Sequence, residues 1–391
     1  MDSSKKKLVL IGGGHAHLFV LEALRKQRAA LPGTDLSHDV NLDVTLITPD
    51  PHLPYSGMLP GLVAGHYRTS ECQVDLSALC NAAGVRLVLG NVTSLDLQAN
   101  QAHQAHQAHT SDAVHSFDLV SLDIGSTPPL HGIPGANENG LAVKPIGEFL
   151  NAWRSFEEQV NLLTRPVHLV VAGAGAGGVE LVLAMAHRLK SRRDLVKWSL
   201  VSRGELLPGY PRRSARIVAA RLAAAGVAIR TGTEIVRVTS ERLYFSDGCE
   251  AAFDQLIWTN GSAPQSWPAA AGLRCEPDGC VSINAHLQSL SHPQVFAAGD
   301  VATDATQLRP KAGLYAVRQG PILAENLLRA ATGQELRRYQ AQRDYLSLLS
   351  TGDRHAVACW YGLVWHGSWV WHWKNRIDQR FMQRFSAPFV P

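Results

Sequence analysis

The chain has 391 residues, enough for about two to three domains, and 46% of them are hydrophobic while 18% are charged. This composition excludes long disordered regions, fibrous repeats and a polytopic membrane protein. The net charge of +4 is mild and evenly spread, which argues against a nucleic-acid partner, and six cysteines in so long a chain predict a reducing cytoplasm rather than a disulfide scaffold.

The first predicted element is a buried strand at residues 7–11, a short apolar run without polar alternation. The triplet Gly12-Gly13-Gly14 follows directly, then a helical pattern over residues 15–28 and a second buried strand at 44–47. Together they form a βαβ unit. A glycine-rich turn lets the backbone at a helix N-terminus approach a pyrophosphate, so this unit predicts a nucleotide site.

Two short β-rich stretches follow, at residues 84–96 and 114–124. The loop predicted between them, residues 98–115, contains a Gln-Ala-His repeat with His103, His106 and His109. Histidine-rich tracts can bind metal, but no carboxylate or cysteine framework accompanies this one. We therefore interpret the repeat as a solvated insertion and predict no metal site.

A second βαβ unit begins with the buried strand at residues 167–171 and continues with a helix at 179–189 and a strand at 198–201. Its turn is a complete G-x-G-x-x-G fingerprint, formed by Gly173, Gly175 and Gly178. The chain is therefore predicted to contain two dinucleotide-binding units.

Both units depart from the usual dinucleotide pattern. In the first, His17 stands where the third glycine allows close packing of helix on strand. The acidic residue that usually ends the second strand and binds the ribose is also absent from both units. In the first unit this position is Thr48, with Asp50 two residues later, and in the second the strand ends at Ser202-Arg203. An arginine in place of the acid suits an adenosine 2′-phosphate and favours NADPH over NADH, the alternative being a solvated arginine at a strand end.

The remaining predicted elements complete the two units and add a third module. Residues 231–253 form a further set of strands, and a buried strand at 295–298 stops at Gly299-Asp300. A long helix follows over residues 313–331. The last ~55 residues form a separate module that holds five of the nine tryptophans.

Three motifs in this order resemble those of the two-dinucleotide-binding flavoproteins, the pyridine nucleotide-disulfide oxidoreductase superfamily: residues 11–14, residues 173–180 and residues 297–300. Within this superfamily the chain is most similar to the type II NADH dehydrogenase branch. Residues 54–61 and 309–313 further resemble bacterial oxidoreductases that some organisms fuse to selenophosphate synthetase. The resemblance covers nearly the whole chain.

The resemblance implies FAD in the first unit and NAD(P)H in the second. Gly12 and Gly14 would hold the FAD pyrophosphate, and Asp300 would hydrogen-bond the ribityl or pyrophosphate portion. Gly125 and Gly261 match the glycine turns of the family that follow each unit, with Asp123 in place of an alanine before the first.

Two further residues are predicted to act beside the reacting rings. Glu180 directly follows the second fingerprint, and the resemblance places it near the nicotinamide, where the family uses it to position the cofactor. The helix beginning at Gly313 would direct its positive end at the electron-rich edge of a reduced flavin, and Lys311 would add a full charge. The alternative for Lys311 is a solvated loop lysine.

The predicted fold is α/β, with two Rossmann-like dinucleotide-binding domains and a small C-terminal α+β module. Residues 1–150 and 285–332 are assigned to the FAD-binding domain and residues 151–284 to the NAD(P)H-binding domain. Residues 333–391 form the C-terminal module.

The sequence also bears on the electron acceptor. Disulfide reductases carry a C-x4-C pair after the first fingerprint, whereas here that region has only Cys72 and Cys80, so thiol chemistry is not predicted. The two glutamines of the quinone-reducing branch are replaced by Leu314 and Arg318. A soluble small-molecule acceptor is therefore favoured over a quinone.

The C-terminal segment has large apolar residues every four positions, interpreted as one apolar stripe of a helix with basic flanks: Trp369, Trp373, Ile377, Phe381 and Phe385. Such a helix suits peripheral contact with the inner face of a membrane through residues 368–385. Packing onto the flavin domain, or against a second subunit in a homodimer, is the alternative that we favour.

The predicted function is transfer of a hydride from NAD(P)H to FAD and of electrons onward to an unidentified acceptor. No acid–base dyad or activated nucleophile stands out, which agrees with chemistry performed by the cofactor. The alternative is a flavin-bearing partner or regulatory protein in selenium metabolism with little turnover. The intact second fingerprint with Glu180 argues for the enzyme.

Overall fold

Two five-stranded parallel sheets dominate the computed structural model of this protein. The structure describes residues 5–29, 42–98, 101–105, 113–126, 130, 132–160, 162–259, 261, 263–304, 306, 311, 313–342 and 344–386. The elements up to the end of the first unit are β1 (Lys6–Ile11), α1 (His15–Ala29), β2 (Leu42–Thr48), β3 (His52–Pro54), α2 (Leu59–Val63), β4 (Gln73–Asp75), α3 (Leu76–Ala83), β5 (Arg86–Leu89), β6 (Asn91–Asp96), β7 (Gln101–Ala105), β8 (Ala113–Ser116) and β9 (Leu119–Leu122).

The second part of the chain contains the second unit and a small antiparallel sheet. Its elements are β10 (Leu141–Ala142), α4 (Ile146–Val160), β11 (Val167–Ala172), α5 (Ala176–Arg188), β12 (Val196–Ser202), α6 (Arg212–Ala224), β13 (Val227–Thr231), β14 (Ile235–Val238), β15 (Arg242–Phe245), β16 (Glu250–Ala252) and β17 (Gln255–Trp258). The remaining elements are α7 (Trp267–Ala270), β18 (Val281–Ser282), β19 (Val295–Ala297), β20 (Ala302–Thr303), α8 (Gly313–Thr332), β21 (Ser347–Ser350), β22 (Ala356–Trp360), β23 (Leu363–Gly367) and α9 (Ser368–Phe385).

All strands of the first sheet run parallel, in the order β19-β9-β1-β2-β5. Every residue of β9 is buried, as expected of a parallel strand covered on both faces. Strand β19 joins this sheet from a later part of the chain, just before α8 packs along α1. Gly320 permits that packing, because a Cβ there would lie 2.3 Å from Cδ2 of Phe19.

The second sheet is also parallel, in the order β10-β17-β11-β12-β13. Its central strand β11 pairs along its full length with β12, so the strand–turn–helix of the second fingerprint lies in the middle of the sheet. Strand β10 pairs with β17 at the edge of this second sheet, although its residues fall within the segment 1–150 that was assigned from the sequence to the first domain. The predicted domain boundaries stay a prediction.

The C-terminal module is an antiparallel three-stranded sheet, β21-β22-β23, followed by α9. Strand β21 contacts α5, and α9 crosses its own sheet and reaches β4 of the first unit. The module therefore touches both dinucleotide-binding units.

The predicted fold class is confirmed, since both parallel units and the C-terminal α+β module are present. The loop predicted at residues 98–115 is wrong in part. Residues 101–105 form β7, which pairs with β6 and β8. The side chain of His103, and all of His106 and His109, lie outside the described residues.

Candidate functional site

A cavity of about 390 Å³ opens at the carboxyl ends of β1, β2 and β9. In open parallel sheets this is the edge at which ligands bind. Six of the residues predicted to hold a cofactor line it: Gly12, Gly14, Thr48, Gly125, Asp300 and Gly313. The sequence placed them up to 301 positions apart along the chain, and the fold brings them to one cavity.

The glycine triplet passes closely against the end of β9. Gly12 has φ +90°, and a Cβ on it would lie 2.4 Å from the carbonyl oxygen of Asp123. A Cβ on Gly14 would lie 2.2 Å from Cγ of the same aspartate. The chain itself therefore requires glycine at both positions, because any side chain there would prevent the close approach of the turn to β9.

His17 occupies the place of the third glycine without widening the turn. Its ring is buried, with Nδ1 donating to Gly12 O at 2.6 Å and Nε2 accepting from Ser121 Oγ at 2.8 Å. Burial lowers the pKa of His17 to about 4, so the ring is neutral, as this pair of bonds requires. The side chain replaces close backbone packing by two hydrogen bonds.

Asp123 is a cavity residue that the sequence marked only as a departure from the family pattern. Its Oδ2 accepts hydrogen bonds from Ala16 N at 2.7 Å and His17 N at 3.1 Å. Asp123 therefore caps α1 from the end of the neighbouring strand β9. Burial, with a smaller contribution from the charge of Asp300, outweighs the lowering by the two N–H groups and raises the pKa of Asp123 to about 7.

Asp300 lies three residues after the end of β19 and forms hydrogen bonds with two neighbouring side chains. It accepts from Lys144 Nζ at 2.9 Å and from Ser126 Oγ at 3.0 Å. Burial acts against ionisation, but Lys144 and Ser126 outweigh it and hold the pKa of Asp300 below its usual value. Sequence reasoning missed Lys144, because nothing local to residue 144 signals a partner at residue 300.

The second fingerprint lies at the turn between β11 and α5. Gly173 has φ +121°, and a Cβ on Gly178 would lie 1.9 Å from Gly173 O, so the chain requires both glycines. A Cβ on Gly175 or Gly177 would meet no protein atom within 4 Å, and Gly175 has an ordinary φ of −73°. Glycine at these two positions leaves open space beside a helix N-terminus, which fits a dinucleotide pyrophosphate.

The other predicted residues of the second unit lie near this turn or beyond it. Gly173 N donates to Val201 O at 2.7 Å, which places Ser202 next to the turn. Arg203 is exposed and pairs at 3.5 Å with Glu234, which follows β13. Gly261 follows β17 with φ +70°.

Glu180 and Lys311 lie outside the set that lines the described cavity. Glu180, on α5, accepts from Ser350 N at 2.7 Å, and burial raises its pKa to about 7. Lys311 donates to Ala302 O at 2.7 Å and Thr303 Oγ1 at 2.6 Å. The roles predicted for both residues beside the reacting rings stay predictions.

Helix α9 corrects the prediction of a single apolar stripe. Its inner face is formed by Val370, Trp371, Lys374, Asp378, Met382 and Phe385, which are buried. Lys374 Nζ donates to Asp378 at 2.6 Å and to Gly57 O at 2.5 Å. The first three residues of the supposed stripe lie on the outer side instead, exposed by 53% at Trp369, 36% at Trp373 and 40% at Ile377.

Two further observations concern the acceptor. Burial raises the pKa values of Cys72 and Cys80 to about 12, so neither forms the thiolate that disulfide chemistry needs. Within the residues that the structure describes, no helix is long and apolar enough to span a bilayer.

Comparison with known proteins gives a family match to most of the chain. The family described as "Pyridine nucleotide-disulphide oxidoreductase" matches residues 6–320. Demethylphylloquinone reductase NdbB of Synechocystis is 24% identical over 90% of this chain and 87% of its own length. Type II NADH:quinone oxidoreductase of Staphylococcus epidermidis is 22% identical over 99% of this chain and 98% of its own.

Solved structures share the fold at lower sequence identity. NDH2 from Plasmodium falciparum, in complex with NADH, superposes with a TM-score of 0.79 at 14% identity, covering 99% of this chain and 100% of that one. The sulfide:quinone oxidoreductase of Aquifex aeolicus also gives a TM-score of 0.79, at 17% identity, covering 97% of this chain and 91% of that one.

Proposed function

Since the chain belongs to the pyridine nucleotide-disulphide oxidoreductase family and is an FAD-dependent NAD(P)H oxidoreductase, we propose that it passes electrons from the flavin to a quinone at a membrane surface. Relatives covering most of the chain are named as quinone reductases. The observation that supports the proposal in this chain is the exposed outer side of α9, formed by Trp369, Trp373 and Ile377.

The first cavity is assigned to FAD, which supplies the redox chemistry by accepting a hydride and releasing its electrons. Gly12 and Gly14 let the turn pass closely against the end of β9, and His15, the first residue of α1, lines the cavity, so the partial positive charge of this helix end favours a pyrophosphate there. Asp300 is kept ionised by Lys144 and can accept hydrogen bonds from hydroxyl groups of the dinucleotide. Thr48, Gly125 and Gly313 complete the wall.

The second turn is assigned to NAD(P)H. Gly173, Gly175 and Gly178 form the pyrophosphate cradle, and the pyrophosphate would fill the open space beside Gly175. Ser202 and Arg203 follow the neighbouring strand on the ribose side, and the exposed Arg203 is free to exchange Glu234 for a 2′-phosphate. Gly261 and Glu180 are assigned to the nicotinamide end.

The outer side of α9 favours a membrane over a soluble acceptor. Trp369 and Trp373 stack with ring centroids 6.4 Å apart, and the turn between β22 and β23 adds exposed Trp360, Tyr361 and Leu363. Large aromatic side chains of this kind suit the boundary between headgroups and acyl chains. The soluble acceptor that the sequence favoured accounts for the packed inner face of α9 but leaves these exposed side chains without a role.

Vesicle flotation and turnover together test the quinone proposal. We expect the wild type to float with vesicles that contain anionic phospholipid and to oxidise NADH with a long-chain quinone embedded in them. A Trp369→Gln/Trp373→Gln variant should lose flotation and most turnover with the embedded quinone. It should keep its rate with ferricyanide, which needs no membrane.

The matched control is Leu162→Gln, which removes an exposed apolar side chain from the second unit. It should float and turn over like the wild type. Wild-type protein that neither floats nor reduces any quinone contradicts the proposal. The resemblance to proteins fused to selenophosphate synthetase stays a prediction, and no structural observation favours the alternative of a partner protein with little turnover.

A further inference from the structure

The two carboxyl oxygens of Asp123 have different surroundings. Oδ2 accepts both helix N–H groups, at 2.7 Å from Ala16 N and 3.1 Å from His17 N. Oδ1 has no hydrogen-bond partner among the described residues, although Asp123 is only 4% exposed and lines the cavity. The helix therefore fixes one oxygen and leaves the other to whatever fills the cavity.

The groups around Asp123 favour its neutral form. Asp300, after β19, adds another carboxylate to the same cavity. Lys144 pairs with Asp300 at 2.9 Å rather than with Asp123, and the charge of Lys311 also acts on Asp300. The histidines of α1 that lie closest, His15 and His17, are both neutral because burial lowers each pKa to about 4. A Cβ on Gly299 would lie 2.9 Å from Oδ1, so the loop after β19 leaves no room for another side chain.

A bound dinucleotide would add further negative charge beside Asp123 and Asp300. Its pyrophosphate carries two negative charges, and the N-terminus of α1 that would attract it is already capped by Asp123. Negative charges in the same cavity disfavour ionisation of the Asp123 carboxyl, whereas the protonated carboxyl supplies a hydrogen-bond donor.

We propose that Asp123 binds FAD as a neutral carboxylic acid, with Oδ1–H donating to the dinucleotide, so that FAD binding takes up one proton. This inference rests on the assignment of FAD to the first cavity and is independent of the acceptor. The proton comes from solvent, moves to Oδ1 and returns to solvent when the dinucleotide leaves. No other bond forms or breaks.

The proposal predicts how the affinity for FAD changes with pH. Burial raises the pKa of Asp123 to about 7 in the free site, so the carboxyl is already protonated at pH 5.5 and binding takes up no further proton. Above that pKa the proton must be acquired on binding. The dissociation constant of FAD should then rise about 15-fold between pH 7 and 8.5, with a slope that approaches tenfold per pH unit, and stay nearly flat below pH 6.

The direct measurement uses the wild-type apoprotein and requires no variant. Titration calorimetry with FAD at pH 8, in two buffers of different ionisation enthalpy, should show uptake of about one proton per FAD, and close to none at pH 5.5. Equal binding enthalpies in both buffers at pH 8 would overturn the proposal.

Two variants assign the proton to Asp123. Asp123→Asn cannot titrate, so its dissociation constant should be independent of pH from 5.5 to 8.5. Asp50→Asn removes another carboxylate from the same cavity and should keep the wild-type slope. A slope that persists in Asp123→Asn, or disappears equally in Asp50→Asn, would overturn the assignment.

The outcome is distinguishable from failure of the function itself. If the wild-type apoprotein binds no FAD at any pH, both the cofactor assignment and this inference fail. If it binds FAD without proton uptake, only the inference fails. Flotation and quinone turnover do not bear on either result.

Discussion

Replacing Gly175 by alanine distinguishes a glycine needed for stability of the fold from a glycine needed for binding of NAD(P)H. The new Cβ would meet no protein atom within 4 Å, and the φ of −73° is ordinary for alanine. Because Gly175 caps α5, we expect the free energy of unfolding to fall by no more than about 1 kcal/mol. The Cβ would instead enter the space assigned to the pyrophosphate of NAD(P)H.

The expected functional loss is much larger than the structural one. Forcing the pyrophosphate away from the N-terminus of α5 removes at least one charge-assisted hydrogen bond, about 1.5–3 kcal/mol, so the KM for NADH should rise about tenfold to a hundredfold. FAD content should remain that of the wild type. The assays are thermal unfolding, flavin absorbance and steady-state reduction of ferricyanide.

Gly178→Ala is the matched control in the same turn. Its Cβ would lie 1.9 Å from Gly173 O and 2.6 Å from Thr259 Oγ1, so the fold itself must shift, at a cost of about 1–3 kcal/mol. The reasoning is refuted if Gly175→Ala destabilises the protein as much as Gly178→Ala does. It is equally refuted if Gly175→Ala leaves the KM for NADH unchanged.

Three other predictions follow from named contacts. Arg203→Ala should raise the KM for NADPH about tenfold to a hundredfold and that for NADH by less than about twofold; equal effects in steady-state assays would exclude recognition of a 2′-phosphate. His17→Gly restores the usual fingerprint yet should lower the free energy of unfolding by about 3 kcal/mol or more in denaturant titrations, because it removes a buried ring and two hydrogen bonds. Lys374→Met should lower the free energy of unfolding by about 3–5 kcal/mol, because it leaves Asp378 buried without its cationic partner. The double variant Lys374→Met/Asp378→Leu should recover most of this loss. An unchanged unfolding midpoint in the single variant would show that the ion pair contributes nothing to stability.

The two dinucleotide units could be predicted because their signals are local. A buried strand, a glycine turn and a helix follow one another within about 20 residues, and the structure has both units where the sequence placed them. The order Gly299-Asp300 after a buried strand likewise predicted a residue of the first cavity, and Asp300 lies there.

Contacts between distant parts of the chain could not be predicted in this way. Lys144 meets Asp300 only because β10 and β19 end near the same cavity, and neither residue has a local pattern that names the other. Asp123 was visible as a substitution for alanine, but its role as a cap of α1 depends on β9 lying beside β1. A single sequence shows which residues are present, but it does not show which distant residues contact each other.

The error at α9 has a geometric cause. An α-helix turns about 100° per residue, so positions four apart are displaced by about 40° and do not form a straight stripe. Over the four intervals of four residues from Trp369 to Phe385 the displacement reaches about 160°, which carries the series from the outer side to the buried side. The true inner face follows spacings of three and four through Trp371, Lys374 and Asp378, and two of these are charged. Because Lys374 and Asp378 pair with each other, the inner face can be buried despite its charges, and the tryptophans are left on the outer side, where the proposed contact with a membrane needs them.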